Sequence, residues 1–105
     1  MGKNDIINIL KQFRNVLEEK GVHVAKVVLF GSWAKNLATD CSDIDVAVVS
    51  NDFNGKDHWS RSKILGAAVY KVFAPIQAVA FTPDEWENGD SLVRIFAREG
   101  EIIFS

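Results

Sequence analysis

The segment GSWAKNLATDCSDIDVAVV, residues 31–49, contains most of the residues from which the fold and the chemistry of this chain can be predicted. It follows the apolar segment VAKVVLF and ends in a second, largely apolar segment, DIDVAVV, with two acidic residues at its start. Asp43 and Asp45 flank a single residue, so on an extended chain their side chains share a face, with Cα atoms roughly 6–7 Å apart. Two parallel carboxylates suit a hard cation such as Mg²⁺.

Gly31 and Ser32 follow the first apolar segment directly. Glycine lets the backbone approach a phosphate closely, and a helix N-terminus attracts anions, so this pair predicts a phosphate-binding turn. The alternative is an ordinary strand-to-helix turn, in which both residues are common for backbone reasons alone. Next to the paired carboxylates, the turn predicts a site for a metal–nucleotide complex.

The motif resembles the signature of the DNA polymerase β-like nucleotidyltransferases, and specifically of the small stand-alone minimal nucleotidyltransferases (MNT). That signature is Gly-Ser, about ten residues, then Asp-hydrophobic-Asp, and the segments SDIDVAVV and REGEIIF resemble its flanks. The resemblance implies the nucleotidyltransferase fold, Mg²⁺ as cofactor and ATP or another NTP as substrate. It also implies that Gly31 allows phosphate approach, Ser32 hydrogen-bonds a phosphate oxygen, and Asp43 and Asp45 hold the magnesium.

Three positions depart from the family pattern, and one of them is Asn36, which stands where many relatives have glycine. Lys35 stands where many relatives have arginine, and lysine keeps the charge without the bidentate fork, so it is either a weaker phosphate contact or a solvated lysine. Gln77 corresponds to a third carboxylate that completes the metal site or acts as the base in many active relatives. A positioned base is typically worth about 10²–10⁴ in rate, so its loss predicts slower transfer with nucleotide binding retained.

The predicted function is Mg-dependent transfer of a nucleoside monophosphate, expected to be AMP, from an NTP to an acceptor hydroxyl. The resemblance implies a helical HEPN-domain partner, whose tyrosine is the acceptor in a toxin–antitoxin pair. Two alternatives stay open. One is a catalytically weakened or inactive module that acts by protein contact, and the other is a nucleotide sensor that binds without turnover.

Composition restricts the remaining classes. A chain of 105 residues with 48% hydrophobic content predicts a single domain over residues 1–105. A net charge of −2 with scattered signs argues against general nucleic-acid binding. One cysteine and no long apolar N-terminal run predict a cytoplasmic protein outside the membrane, while homo- and hetero-oligomers are both compatible. His23 and His58 lack partners at zinc-ligand spacing.

Periodicity and chain breakers predict alternating helices and strands. Apolar residues recur at helical spacing over residues 5–20 and 59–73, and Thr82-Pro83-Asp84-Glu85 signals the start of another helix. The pattern favours an α/β fold (α+β in some schemes), with helices packed on a mixed sheet. The three tryptophans are expected in or beside the core, with a partner surface as the alternative for some of them. Asp40 and Ser42 are expected in a turn, and Cys41 outside catalysis. The other predicted elements are strands at 24–30, 44–49, 76–81 and 102–104, and short helices at 32–37 and 91–98.

Overall fold

The structure is a computed structural model that describes residues 2–39 and 42–105. The expectations for Asp40 as a turn residue and for Cys41 as a non-catalytic thiol lie outside the described residues. The described part contains four strands, four α-helices and a 3-10 helix at Asn51–Phe53. The elements are α1 (Lys3–Glu19), β1 (Lys26–Phe30), β2 (Ile44–Val49), α2 (His58–Val72), β3 (Ile76–Phe81), α3 (Pro83–Asn88), α4 (Leu92–Arg98) and β4 (Glu101–Phe104).

The four strands form one mixed sheet in the order β3-β2-β1-β4. β1 pairs antiparallel with both β2 and β4, and β2 pairs parallel with β3 in an unbroken register from Ile44↔Ile76 to Val49↔Phe81. Helix α2 makes the crossover that a parallel pair requires. The expectation of helices packed on a mixed sheet is therefore confirmed.

Strand β2 divides the molecule because its side chains alternate between two environments. Ile44, Val46 and Val48 are fully buried in a large core that α1 and α2 complete. Ala47 and Val49, on the opposite face, belong to a smaller cluster with Trp86 of α3. Asp45 shares that second face, and its cross-strand partner Phe30 packs against the margin of the smaller cluster. One face of the sheet is thus fully packed and the other is packed only in part.

The short helix predicted at residues 32–37 is wrong. The chain there forms consecutive turns, with one hydrogen bond from the Lys35 N–H to the Gly31 carbonyl and another from the Leu37 N–H to the Ser32 carbonyl. Asn36 has a positive φ of 59°, which interrupts helical geometry. Trp33 is buried in the main core, and its indole N–H donates to the Ser42 carbonyl. Tertiary packing of this side chain holds the segment as a compact turn.

The tryptophan expectation is confirmed for two of three residues. Trp33 and Trp86 are buried, but Trp59 lies exposed on the outer side of α2. Helical periodicity places Trp59 on a helix without saying which side of that helix the protein covers. Among the described residues, no helix has the length and apolar character needed to cross a membrane.

Candidate functional site

The carboxylate of Asp45 lies directly against the backbone of Gly31. A Cβ built on Gly31 would clash with the Asp45 Oδ2 atom and would also approach the Asp45 Cγ at 3.2 Å. Gly31 has φ +71°, a left-handed conformation that glycine adopts without the steric cost of a side chain. The pairing of Phe30 with Asp45 across β1 and β2 brings these two segments together. Glycine at position 31 is therefore required by both conformation and space.

Asp43 lies next to Asp45 but outside the strand, which begins at Ile44. Asp43 is exposed and Asp45 is half-buried. Burial raises the pKa of Asp45 above its usual value of 3.8, and the nearby charge of Asp43 raises the pKa further. The structure thus holds two carboxylates close enough to repel each other, an arrangement that a bound cation would relieve.

Gln77 is the direct partner of Asp45 on the neighbouring parallel strand. Residues in register on adjacent strands have side chains on the same face of the sheet, so the Gln77 amide and the Asp45 carboxylate share one surface. Gln77 is exposed. A neutral amide therefore occupies the place beside Asp45 where a further carboxylate would be nearest.

Ser32 and Lys35 lie on the turn that follows Gly31. Ser32 is half-buried and Lys35 is exposed. The turn lacks the regular helix that the sequence predicted, so the anion attraction of a helix N-terminus does not apply here. What the turn offers a phosphate is the backbone at Gly31 and Ser32, together with the positive charge of Lys35.

Helices α3 and α4 limit the site on one side. Phe81 and Trp86 make an edge-to-face contact with ring centroids 5.4 Å apart, which closes the far half of this sheet face. Arg94 donates from Nε to the Trp86 carbonyl at 2.7 Å, and Arg98 donates from Nη1 to the same carbonyl at 3.1 Å. These bonds hold α4 against the end of α3.

Other charged groups that could join the site are engaged elsewhere. Glu85 accepts from Arg61 at 2.6 Å and from the Thr82 N–H at 2.8 Å, and these partners, Arg61 first, lower the pKa of Glu85 below its ordinary value. Asp84 accepts from the side chain of Asn88. Among residues 2–39 and 42–105, no group of three or more His, Cys, Asp or Glu side chains is placed to hold a metal ion. The donor set on this face is two carboxylates and one amide.

Such a donor set fits Mg²⁺. This ion is commonly bound through one or two carboxylates and completes its octahedral shell with water and substrate phosphate oxygens. Asp43 and Asp45 supply the carboxylates, and the adjoining turn at Gly31 supplies a place where a phosphate can lie against the backbone. These are the groups that would hold a metal–nucleotide complex on this face.

Comparison with known proteins agrees with this geometry. The family described as "Nucleotidyltransferase domain" matches residues 10–102, which is most of the chain. This chain belongs to that family. The nucleotidyltransferase domain is also similar to a crystal structure from Sulfolobus solfataricus that carries a nucleotidyltransferase assignment, with a TM-score of 0.63 and 17% identity over 97% of this chain and 87% of that one. At that identity the likeness shows the fold. No curated protein sequence matches this chain.

Sequence reasoning missed two features of the site. Phe30 lies directly across from Asp45, and the only sequence signal for this was its position next to Gly31. The close contact between Gly31 and Asp45 joins residues fourteen positions apart, and no local pattern encodes it. Both depend on the register between β1 and β2.

Proposed function

We propose that this nucleotidyltransferase domain binds an NTP with Mg²⁺ at Gly31, Ser32, Asp43 and Asp45, and transfers a nucleoside monophosphate to an acceptor hydroxyl. The observation that supports this most is the placement of the Asp45 carboxylate against Gly31 with Asp43 beside it. Membership of the nucleotidyltransferase domain family supports nucleotidyl transfer in general. Magnesium as the metal and AMP as the transferred group are parts of the proposal.

Each residue has a distinct task in the proposed reaction. Asp43 and Asp45 hold the cation, and the backbone at Gly31 with the Ser32 hydroxyl fixes the phosphates. Lys35 adds positive charge near them. Mg²⁺ held by Asp43 and Asp45 would supply positive charge to the phosphates and to the leaving pyrophosphate. The acceptor oxygen attacks the α-phosphorus, the bond from that phosphorus to the bridging oxygen breaks, and pyrophosphate leaves.

Gln77 should slow that reaction, because it stands where a carboxylate could act as the base. The acceptor hydroxyl loses its proton during the transfer, and an amide beside Asp45 cannot accept it. In this site the proton goes to solvent water, so transfer is slower than with a carboxylate at position 77. This observation favours the second candidate function, a weakened or inactive module that still binds nucleotide and acts through protein contact.

The acceptor in the proposed reaction belongs to a partner protein. The resemblance to minimal nucleotidyltransferases points to a helical HEPN-domain protein whose tyrosine receives AMP, within a toxin–antitoxin pair in the cytoplasm. An apolar surface beside the site supports protein docking there. It consists of the outward side chains of α4, whose arginines face the protein body, and these side chains are Leu92, Val93, Ile95 and Phe96.

Intact-mass measurement tests the proposal. The purified protein is incubated with Mg²⁺ and each NTP, with and without the protein encoded beside it, and both chains are weighed. We expect a mass gain of one nucleotide on the partner that is lost in the Asp43→Asn/Asp45→Asn variant. The same gain in that double variant would contradict the proposal. Gln77→Glu is expected to raise the rate, and a stable complex without any adduct in either form would favour the contact module.

A further inference from the structure

The outer side of α2 carries an exposed aromatic stripe with small residues at its centre. Trp59, Tyr70 and Phe73 are 71%, 82% and 90% exposed. Spacings of three, four and four residues put Trp59, Ser62, Gly66 and Tyr70 on one side of the helix, since these steps follow the helical period. Phe73 follows the last turn of the helix and lines a groove together with Tyr70. The α2 stripe, as we name it, consists of Trp59, Ser62, Gly66, Tyr70 and Phe73.

The position of Phe73 indicates that the exposed aromatic side chains of the α2 stripe form a binding surface. It is the C-cap residue of α2 and adopts a left-handed conformation, with φ 59° and ψ 52°. Glycine or asparagine is preferred at such a position, and a bulky residue there is a conformational outlier. The chain thus retains an aromatic side chain where backbone preference and solvent exposure both disfavour it. A surface that binds another molecule accounts for both costs.

The free edge of β3 lies beside the α2 stripe. β3 is the last strand of the sheet, and no strand pairs with its outer side within residues 2–39 and 42–105. Its sequence, IQAVAF, has no charged residue and no proline, the features by which edge strands commonly avoid pairing. A groove of about 220 Å³ between helix and strand is lined by Ser62, Gly66 and Val69 on one side and by Ile76, Gln77 and Ala78 on the other.

The spacing of the α2 stripe is symmetric about Gly66. Trp59 and Phe73 lie seven residues to either side of it, and Ser62 and Tyr70 lie four residues to either side. Two such helices that cross antiparallel at Gly66 would place Trp59 of each copy against Phe73 of the other. Ser62 and Tyr70 would meet in the same way. The absence of a side chain at Gly66 lets the two backbones approach at the crossing, as small residues do at close helix contacts.

The strand edge obeys the same symmetry. Gly66 and Ala78 line the same groove, so a two-fold axis beside Gly66 also passes near the middle of β3. A two-fold axis normal to the sheet pairs the β3 strands antiparallel, because the same patch meets itself. The three stripe aromatics would cover about 500 Å² per copy. The paired edges add to this area and bring it towards the roughly 800 Å² per partner of a stable interface.

We propose that a second copy of this chain docks on the α2 stripe and the β3 edge, and that the two copies share one continuous sheet. Both Asp45 faces then lie on the same side of that sheet, while α2 of each copy covers the seam on the other side. The proposal is independent of nucleotidyl transfer. A folded dimer without activity would overturn the proposed function alone, and an active monomer would overturn the dimer alone.

Gly66→Glu tests the proposal directly, because a Cβ on Gly66 meets open space within one copy. Glycine is a weaker helix former than glutamate, so one copy of the variant should be at least as stable as one copy of the wild-type chain. Ala67→Glu is the matched control, since Ala67 is exposed on the same helix but lies off the stripe. Sedimentation velocity from micromolar to near-millimolar protein measures association, and thermal unfolding confirms that both variants are folded.

We expect the wild-type chain and Ala67→Glu to dimerise, and Gly66→Glu to associate at least ~100-fold more weakly, because like charges would meet at the axis. Trp59 fluorescence gives a second measure, since Trp33 and Trp86 are already buried in one copy. Its emission should shift to the blue as wild-type protein is concentrated. A wild-type chain that stays monomeric, equal association of the two Glu variants, or binding of only a different protein at Gly66 would overturn the proposal.

Discussion

The two faces of the sheet use the same strand for opposite purposes. On the face covered by α1 and α2, Ile44, Val46 and Val48 of β2 are completely buried. On the other face, Asp45 lies half-buried beside Asp43, and burial and charge repulsion both raise its pKa. The face covered by α1 and α2 stabilises the fold. The face with Asp45 is less favourable for stability, because it holds two carboxylates close together. Stability and function can therefore be altered separately in this small domain, one face at a time.

The largest effect should come from the packed face. Phe13 of α1 is fully buried in the main core, so Phe13→Ala should lower the free energy of unfolding by about 3–5 kcal/mol. Chemical denaturation measures this loss, with Phe13→Leu as the milder control. A loss below ~1 kcal/mol would show that α1 contributes little to stability. The two faces of the sheet would then not differ in how much they stabilise the fold.

Gly31→Ala is expected to have the next largest effect, and on the site face. The positive φ alone costs a non-glycine residue about 1–2 kcal/mol, and the new Cβ also displaces the Asp45 carboxylate. Gly21→Ala is the matched control, since Gly21 has φ +88° with no atom within 4 Å of the added Cβ. Unfolding and Mn²⁺ binding are measured for both. Only Gly31→Ala should weaken Mn²⁺ binding. Equal Mn²⁺ binding by the two variants would show that Gly31 is not part of the metal site.

Thr82→Ala should cost about 1 kcal/mol. Thr82 is buried and caps α3, accepting from the Glu85 N–H at 3.1 Å while its own N–H donates to the Glu85 side chain at 2.8 Å. Thermal unfolding measures the loss, and Thr82→Ser should restore most of the stability. Because the cap lies away from Asp45, nucleotide binding should not change, and a changed affinity would mean that α3 supports the site as well.

The smallest predicted effect is a gain in stability, on replacing Asp45 with asparagine. The raised pKa of Asp45 means that folding favours its neutral form. That contribution is complete below the ordinary value of 3.8 and is lost as pH rises through the folded-state pKa. Asp45→Asn, which stays neutral, should therefore be more stable than the wild-type chain at pH 7 and equal to it in acid. Melting temperatures across this range test the sign, and a less stable variant at pH 7 would contradict it. Asp43→Asn should also stabilise the chain at pH 7, but less, because it removes only the charge repulsion and leaves the burial of Asp45 unchanged.

Much of the fold could be predicted because its signals are local. The strand at residues 44–49 and the strand at 76–81 were both correct, since each is an apolar run bounded by residues that break strands. Thr82-Pro83-Asp84-Glu85 carries a complete helix-start signal, and α3 begins there. Features set by distant contacts were missed. The segment after Gly31 looks helical, but burial of Trp33 and the positive φ of Asn36 make it a turn.

The candidate site divides in the same way. The spacing of Asp43 and Asp45 is local and can be seen in the sequence. The contact of Asp45 with Gly31 arises from the register of β1 and β2, and the placement of Gln77 beside Asp45 arises from the register of β2 and β3. Periodicity found α2 but could not show that Trp59 faces outwards. Sequence thus predicts which groups carry the chemistry, and strand register determines what surrounds them.

Thermal stability with and without nucleotide is the sharpest test of nucleotide binding at Asp43 and Asp45. Melting temperature is measured for the wild-type chain and for Asp43→Asn/Asp45→Asn, each alone, with Mg²⁺, with ATP, and with both together. A ligand that binds only the folded state stabilises it. We predict that Mg²⁺ and ATP together raise the wild-type melting temperature well above either one alone, and that the double variant shows no such rise. An equal rise in both proteins would place nucleotide binding elsewhere and contradict the assignment of this site.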